Sequence, residues 1–393
     1  MEFRKCTLGD LSLNGRGEYG IAASAVEYNP EKKVYLRITD ICDDGTLDNS
    51  DRKSVEGVNL DRYILKPNDI VFARTGASTG RNYFYDGTDG EMVFAGFLIK
   101  FSIDERAVNP KFIKYYCLSK KYKAWIQSFA TGSTRGNINA QTLASMPIDL
   151  PPRDYQNRMV EILDIIDLKI KENKAINHNL LQQAKAIFAK RFIDLESIPN
   201  GWKQGNLLDI ANYLNGLAMQ KYRPNRDESG LPVLKIKELR QGFCDGNSEL
   251  CSPNIKPEYV IHDGDVIFSW SGSLLVDIWC GGVCGLNQHL FKVTSQTYDK
   301  WFYYLWTAHH LERFIAIAAD KATTMGHIKR EELAKAEVLI PSNDNYEEIS
   351  ALMTPIFNLI IENRIESRKL EKLRDELLPK LLSGEIDVSE VAV

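Results

Sequence analysis

An internal duplication runs through almost all of this 393-residue chain. Residues 131–138, Thr-Gly-Ser-Thr-Arg-Gly-Asn-Ile, correspond to residues 321–328, Lys-Ala-Thr-Thr-Met-Gly-His-Ile. Further upstream, residues 65–72 correspond to residues 261–268, with a spacing that differs by a few residues. Because the matches keep their order along the chain, the sequence predicts two copies of one structural unit in tandem.

Each copy begins with a globular part in which short apolar runs alternate with turns. Runs of this length predict β-strands, whereas a longer periodicity predicts helices. The predicted strands lie at residues 69–73, 93–99, 265–269 and 288–293, and the predicted helices at residues 109–129 and 299–319. We therefore predict an α+β fold for each globular part.

Each copy ends in a segment with a seven-residue repeat, which is typical of a helix that packs along another helix. The repeat positions are Met159, Ile166, Asn173, Leu180 and Ile187 in the first copy, and Ile349, Ile356, Asn363, Leu370 and Leu377 in the second. A helix of about 40 residues is roughly 60 Å long, too long to be enclosed by one small domain. The two segments are therefore expected to pair.

Asn173 and Asn363 occupy equivalent positions in the middle of the two segments. If the helices lie antiparallel, the two asparagines face each other, and a polar residue in an apolar seam fixes the register. We predict that they set the register of an antiparallel coiled coil with a pseudo-two-fold axis, with the globular parts at opposite ends. Pro355 predicts a kink or a late start in the second helix.

The charge of the chain argues against unaided binding to nucleic acid. The formal net charge is −4, whereas affinity for DNA comes largely from Lys and Arg side chains near phosphates. One stretch carries basic residues and no acidic ones, namely Lys111, Lys114, Lys120, Lys121, Lys123 and Arg135. Aromatic residues are interleaved with them. The stretch fits either a nucleic-acid contact or a solvated helix with an aromatic core face.

The cysteines and the apolar runs indicate the cell compartment. There are seven cysteines, an odd number that does not suit a secreted disulfide framework. No signal peptide or membrane-spanning apolar run is evident, so we expect a cytoplasmic protein without a membrane partner. Cys244, Cys251, Cys280 and Cys284 are spaced too loosely for a structural zinc site, and buried free thiols are the favoured interpretation over bound metal.

No catalytic motif is present. The chain has no Gly-x-x-x-x-Gly-Lys-Ser/Thr phosphate loop and no Asn/Asp-Pro-Pro-Tyr/Phe segment of the amino-methyltransferase type. Asp69 and Asp265 recur in both copies, but they lie at a strand-entry turn where aspartate is common. We therefore expect no catalytic residue and no metal site.

Several residues together carry a resemblance to a known family. They are residues 131–138, Leu150-Pro151-Pro152 and Gln156 in the first copy, and residues 323–328, Ile340-Pro341 and residues 377–384 in the second. In their order, these residues resemble the specificity subunits of type I restriction-modification systems. The second copy departs from the first at Lys321, Ala322 and Thr323.

The resemblance implies two target-recognition domains, at residues 1–152 and 196–341. It implies helical spacers at residues 153–195 and 342–393, which would form the antiparallel coiled coil. The function implied is recognition of a bipartite, asymmetric site on double-stranded DNA. The chain would itself be non-catalytic.

The resemblance also implies partner proteins. Two methyltransferase (modification) subunits would dock on the helices and methylate adenine with S-adenosylmethionine, and restriction subunits would translocate and cleave DNA using ATP and Mg²⁺. No cofactor is expected on this chain.

For DNA contact we favour the loop after the central strand of each globular part and the loop near its end. Arginine can bind guanine through two hydrogen bonds, and hydroxyls suit phosphate oxygens. The residues predicted are Arg74, Thr75, Ser78, Thr79, Arg81, Ser133, Thr134 and Arg135 in the first copy, and Ser269, Ser271, Ser273, Thr323, Thr324, His327 and Lys329 in the second. Trp270, Gln288 and Met325 are alternatives.

Two other functions remain open on the sequence alone. A coiled-coil scaffold that binds proteins and no DNA would suit the near-neutral charge. An enzyme with an unfamiliar site would need titratable residues that converge in both copies.

Overall fold

A computed structural model of the chain describes residues 2–129, 137–320 and 328–388. The chain forms two compact units. Unit 1 contains Met1–Asp167 and Lys372–Val393, and unit 2 contains Leu168–Glu371. Each unit therefore combines one globular part with a portion of both long helices.

Among its described residues, unit 1 has ten strands, four helices that begin within it and the C-terminal end of a long helix that begins in unit 2. The strands are β1 (Arg4–Thr7), β2 (Glu18–Tyr19), β3 (Ala25–Glu27), β4 (Val34–Leu36), β5 (Lys53–Val55), β6 (Asp69–Ala73), β7 (Asn82–Tyr85), β8 (Met92–Phe94), β9 (Leu98–Ser102) and β10 (Pro147–Leu150). The helices are α1 (Pro110–Tyr116), α2 (Lys120–Gln127), α3 (Ala140–Ala144) and α4 (Arg153–Phe188), of which α4 continues into unit 2. Short 3-10 turns lie at Gly9–Leu11, Ile38–Asp40, Leu60–Tyr63 and Gly76–Ser78.

These strands form two four-stranded sheets and one two-stranded ribbon. The sheet orders are β2-β9-β6-β7 and β3-β5-β4-β8, and β1 pairs with β10. All pairs are antiparallel except β4 with β8. All five residues of the central strand β6 are buried, which explains its continuous apolar run.

Unit 2 repeats this content. Its strands are β11 (Lys203–Asn206), β12 (Asn212–Asn215), β13 (Leu231–Leu234), β14 (Leu250–Cys251), β15 (Val260–Ile261), β16 (Val266–Ser269), β17 (Leu275–Ile278), β18 (Cys284–Leu286), β19 (Leu290–Thr294) and β20 (Glu337–Ile340). Its helices are α5 (Leu207–Ile210), α6 (Ile236–Gln241), α7 (Lys300–His309), α8 (Leu311–Asp320), α9 (Arg330–Ala334) and α10 (Asn343–Ser383). A π-helical turn at Ala189–Ile193 follows α4, and 3-10 turns lie at Met219–Lys221 and Pro257–Tyr259.

The sheets of unit 2 follow those of unit 1 except at the edges of the second sheet, where β3 has no counterpart among the described strands of unit 2 and β15 has none among those of unit 1. Their orders are β12-β19-β16-β17 and β14-β13-β18-β15, with β11 paired to β20. Strands β13 and β18 form the one parallel pair in the described part of this unit, as β4 and β8 do in unit 1. The predicted duplication and the mixed α and β content are therefore confirmed.

Some predicted elements are divided in the structure. The strand predicted at residues 93–99 is two strands, β8 and β9, because the backbone turns at Ala95, where Leu98 N donates to Ala95 O. Each helix predicted at residues 109–129 and 299–319 is a pair of helices. In the first pair, the Ser119 side chain accepts a hydrogen bond from Tyr122 N and starts the second helix anew.

The long helices α4 and α10 run antiparallel within each unit. In unit 1, Tyr155 Oη donates to Leu381 O at 2.8 Å. In unit 2, Asn173 Nδ2 donates to Glu366 at 2.7 Å, and Arg191 pairs with Glu348 at 2.9 Å. All ten heptad positions are buried or half-buried, so the seven-residue repeat identified the packed face of both helices.

The predicted late start of the second helix is wrong. Helix α10 begins at Asn343 and includes Pro355 without interruption. Ile349, Met353 and Phe357 on either side of the proline are buried in the core of unit 2. Their packing outweighs the backbone hydrogen bond that proline cannot make.

Candidate nucleic-acid interface

In unit 1, the loop after β6 is held by backbone hydrogen bonds to two distant segments. Arg74 N donates to Phe97 O at 3.1 Å, and Ile138 N donates to Arg74 O at 2.9 Å. The neighbouring strand joins this arrangement, since Gly20 N donates to Leu98 O at 3.2 Å. Residues 19, 74 and 97 are thereby brought to one place on the unit.

In unit 2, the loop after β16 has the same backbone hydrogen bonds. Trp270 N donates to His289 O at 3.4 Å, and Ile328 N donates to Trp270 O at 3.1 Å. Gly216 N donates to Leu290 O at 3.0 Å, as Gly20 N does to Leu98 O. The two loops therefore share one backbone framework. We call the residues that it brings together the loop triads: Tyr19, Arg74 and Phe97 in unit 1, and Asn215, Trp270 and His289 in unit 2.

A close backbone approach explains why glycine follows the first residue of each triad. A Cβ atom on Gly20 would lie 2.2 Å from Ala95 O, and one on Gly216 would lie 2.2 Å from Asn287 O. Only glycine allows strand and loop to come so close.

Side chains within each triad contact one another, Arg74 with Tyr19 in unit 1 and Trp270 with both Asn215 and His289 in unit 2. The Arg74 guanidinium lies over the Tyr19 ring, 5.1 Å from its centroid. In unit 2, Trp270 Nε1 donates to Asn215 Oδ1 at 2.9 Å, and the Trp270 and His289 rings are 6.1 Å apart. Unit 1 thus presents a cation on an aromatic ring, and unit 2 presents aromatic and amide groups.

Among the DNA contacts predicted in unit 1, Arg74 belongs to the loop triad. Thr75 and Ser78 are half-buried beside it, and the Thr79 hydroxyl donates to Gly76 O at 2.8 Å, which tightens the turn. The Arg81 guanidinium pairs with Asp43 at 2.7 Å and also donates to Ile41 O. Ser133, Thr134 and Arg135 lie outside the described residues.

The predicted contacts of unit 2 are divided between surface and interior. Ser273 and Lys329 are exposed. Ser269 and Ser271 are buried, and the Ser269 hydroxyl donates to Ser271 O at 3.2 Å, so we assign these two side chains to the support of the loop. Thr323, Thr324 and His327 lie outside the described residues, as does the alternative Met325.

Asp69 and Asp265 have a structural role at the turns that enter β6 and β16. Asp69 accepts a hydrogen bond from Lys66 N, and Asp265 accepts one from His262 N, each at 2.8 Å. Lys100 Nζ lies 3.7 Å from Asp69, and Lys292 Nζ lies 2.8 Å from Asp265. Burial raises the pKa of Asp69. The recurring aspartates therefore cap turns.

The four cysteines of unit 2 are free thiols. Cys251, Cys280 and Cys284 are buried, and Cys244 is half-buried. Burial raises the pKa of Cys280 to about 11. In the part of the chain that the structure describes, no three His, Cys, Asp or Glu side chains are grouped as a metal site would require.

Comparison with known proteins identifies the family. A sequence model of the family described as type I restriction modification DNA specificity domain matches residues 2–182 and 199–373. The chain belongs to this family. Among the helices of the described residues, none combines the length and the apolar character needed to cross a membrane.

Individual relatives match most of the chain. The specificity subunit of the type I restriction enzyme MjaIX from Methanocaldococcus jannaschii is 25% identical over 314 residues, which cover 74% of this chain and 72% of that protein. The EcoKI specificity subunit from Escherichia coli is 25% identical over 363 residues, covering 82% and 75%. A crystal structure of a type I restriction-modification system S subunit from M. genitalium has a TM-score of 0.59 at 15% identity, covering 97% and 96%. This last likeness shows a shared fold.

In this specificity-domain chain, three of the five lysines of the basic stretch form ion pairs within unit 1. Lys111 pairs with Asp164, Lys114 with Asp167 and Lys121 with Asp149. The interleaved Tyr115, Tyr116 and Tyr122 are buried in the core of unit 1. Arg135 lies outside the described residues, while Lys120 and Lys123 are exposed. The interpretation as a helical stretch with an aromatic core face thus fits the structure better than a continuous DNA-binding patch.

The seam asparagines are both buried, and they bind other residues of the facing helix. Asn173 Nδ2 donates to Glu366, whereas Asn363 Nδ2 donates to Asn177 Oδ1 at 2.9 Å. Asn177 Nδ2 in turn donates to Ile360 O at 3.1 Å. The polar part of the seam therefore involves four side chains. That Asn173 and Asn363 set the register stays a prediction.

Sequence reasoning missed Tyr19, Phe97 and Asn215, and it left His289 unmarked within a predicted strand. The signal that could have found them is the repeat itself. Tyr19-Gly20 corresponds to Asn215-Gly216, and Phe97-Leu98 corresponds to His289-Leu290. In both pairs, a residue that differs between the copies is followed by a residue that the two copies share.

Proposed function

We propose that this chain is the DNA-reading subunit of a type I restriction-modification enzyme. Each unit would read one half of a bipartite, asymmetric site on double-stranded DNA, and the helices α4 and α10 would set the distance between the halves. The observation that carries the proposal is the shared loop framework with different side chains. Two copies of one fold with unlike triads suit two unlike half-sites.

Family membership supports the proposal. The relatives above are named as specificity subunits of type I restriction enzymes. We propose that the chain is itself non-catalytic and binds no cofactor. Two methyltransferase subunits would use S-adenosylmethionine, and restriction subunits would use ATP and Mg²⁺ to translocate and cleave DNA.

The partners would also contribute affinity. The net charge is −4, and three lysines of the basic stretch are paired to carboxylates, so this stretch offers few free cations to phosphates. Binding of the chain alone should then be weak, with a shallow dependence on salt. The complex with methyltransferase subunits should bind more tightly and show a steeper dependence.

A domain exchange tests the function. The chain is purified with its methyltransferase subunits, and the preferred DNA is selected from a pool of random duplexes. We expect one bipartite sequence. Replacing residues 1–152 by those of a relative should change one half of that sequence, and replacing residues 196–341 should change the other half.

The matched exchanges serve as controls for each other. If both exchanges altered the same half, or if the complex selected no sequence at any salt concentration, the proposal would be wrong. Stable assembly without any DNA selectivity would instead point to a protein scaffold.

A further inference from the structure

The loop triads share a backbone framework but no residue type. Each position is held by the same hydrogen bonds in both units, and the residues are Tyr19, Arg74 and Phe97 against Asn215, Trp270 and His289. By contrast, the glycine that follows the first position is retained. The framework is thus common to both copies, and the side chains that it presents distinguish them.

The triads also contain buried polar atoms that lack a partner. Among the described residues, Nε of Arg74 and Nδ1 of His289 are buried without a hydrogen bond. In folded proteins, nearly all buried polar groups are paired with protein, water or ligand. Arg74 holds the second position of its triad and His289 the third, so each triad contains one such atom, which a polar ligand bound at the triad would satisfy.

The triad of unit 1 has the chemistry of a guanine reader. Arg74 stacks on Tyr19, which restricts the plane of the guanidinium and leaves its edge to donate hydrogen bonds. Tyr19 and Phe97 are 43% and 56% exposed, so the cluster faces solvent. Arginine paired with O6 and N7 of guanine is the commonest specific contact in the DNA major groove.

The triad of unit 2 contains no lysine or arginine. The Asn215 amide is exposed, and its carbonyl oxygen accepts the Trp270 indole N–H. An amide suits the N6 and N7 edge of adenine, and it cannot replace the paired donors of a guanidinium. The two units therefore differ in the base that they can read at this position.

We propose that the loop triads are the specificity-determining positions of the two half-sites, and that Arg74 reads a guanine in the half-site bound by unit 1. This inference rests on the proposed function. It assigns Tyr19 as the residue that positions the guanidinium, and Asn215 and His289 as the polar readers of unit 2.

The test compares Arg74→Ala with a closely matched control, Arg52→Ala. Arg52 also has a buried Nε without a partner among the described residues, and it lies over the ring of Tyr28 at 5.4 Å. Tyr28 is 45% exposed, close to the value for Tyr19. Arg52 differs in lying outside the loop framework. Each variant is purified with the methyltransferase subunits, and its base preference is measured at every position of the selected site.

We expect Arg74→Ala to lose about tenfold or more of the preference for guanine at one position of one half-site. Arg52→Ala should keep the wild-type preferences, and His289→Ala should change the other half-site only. Unchanged preferences in Arg74→Ala, or an equal effect of Arg52→Ala, would overturn the inference. If the wild-type complex selected no sequence, the proposed function itself would fail.

Arg74→Lys distinguishes base reading from phosphate binding. Because it keeps a long, charged side chain at this position, it also serves as a second variant in case Arg74→Ala fails to fold. Lysine keeps the charge but lacks the planar fork that binds guanine at two points. We expect it to lose the guanine preference while overall affinity changes little. If Arg74→Lys kept the preference, or if Arg74→Ala weakened all sequences equally, Arg74 would be a phosphate contact and the inference would be wrong.

Discussion

The two units pack their globular parts against the long helices at equivalent places, but with opposite chemistry. In unit 1, Lys114 of α1 pairs with Asp167 of α4 at 2.6 Å, and Arg374 of α10 pairs with the same carboxylate at 3.1 Å. In unit 2, the corresponding positions are Tyr304, Phe357 and Ala184. The Tyr304 and Phe357 rings meet edge to face, with centroids 5.6 Å apart.

The side chains around each contact also differ in the same way, with carboxylates in unit 1 and aromatic rings in unit 2. In unit 1, the buried Tyr115 hydroxyl donates to Asp164 at 2.7 Å, and burial beside the two aspartates raises its pKa. In unit 2, Trp301 stacks on Tyr346 and donates from Nε1 to Ser350. Equivalent positions of the two copies can thus be occupied by a charged network or by an aromatic core. The fold specifies the helix positions, and each copy satisfies them with different side chains.

The largest loss of stability is expected when the aromatic contact of unit 2 is removed. Phe357→Ala removes a buried ring from the core of unit 2, and we expect it to cost about 3–5 kcal/mol of unfolding free energy. Amide hydrogen exchange in peptides from α7, measured by mass spectrometry, reports this loss locally.

Leu352→Ala is the control for that prediction, since Leu352 lies on the same helix and is 50% exposed. Its effect should stay within about 0.5 kcal/mol. Equal exchange of α7 in Phe357→Ala and wild type would contradict an aromatic contact that stabilises unit 2.

A smaller loss of stability is expected when the charged contact of unit 1 is broken. Asp167→Asn leaves Lys114 and Arg374 without their carboxylate, and we expect a cost of about 2–3 kcal/mol, below the range for fully buried pairs because the groups are partly exposed. Hydrogen exchange in α1 peptides measures it. Glu161→Gln, at an exposed position of α4, should change little.

The pH dependence of that cost identifies its origin. Burial raises the pKa of Asp167, but Lys114 and Arg374 outweigh burial and lower it below the ordinary aspartate value. The pair therefore stabilises unit 1 fully above that ordinary pKa, about 3.9. Its contribution is lost as the pH falls through the lower folded-state pKa. The difference between wild type and Asp167→Asn should shrink over that acidic window, and a constant difference would exclude the ion pairs as the cause.

The smallest net effect is expected when unit 1 receives the chemistry of unit 2. The triple variant Lys114→Tyr, Asp167→Phe and Arg374→Ala should stay within about 1 kcal/mol of wild type, because replacing a whole buried charge network by apolar groups is often neutral. The single changes should not sum to this value. A cost as large as that of Phe357→Ala would show that the charged network has a geometry that aromatic side chains cannot fill.

Features of short range were accessible from the sequence. Strand β6 coincides with the apolar run at residues 69–73, and the heptad positions occupy the buried face of α4 and α10. Both follow from the fixed period of a strand or a helix. The tandem repeat likewise predicted two copies of one structural unit.

Features that depend on contacts between distant parts of the chain were not accessible from the sequence. Arg74 was predicted as a DNA contact from its loop, but its partner Tyr19 lies in another strand and Phe97 precedes a third. The burial of Ser269 and Ser271 also depends on segments that are distant in sequence and pack against their loop. No local period encodes such neighbours.

The sequence by itself determined the duplication, the paired helices and the family to which the chain belongs, because these depend on order and periodicity along the chain. The tertiary structure alone decided which side chains meet. It brought Tyr19, Arg74 and Phe97 together through backbone hydrogen bonds between distant segments, and it paired Lys111 and Lys114 of the basic stretch with carboxylates of α4. The physical reason is that contacts between distant segments are selected by packing and hydrogen bonding in three dimensions.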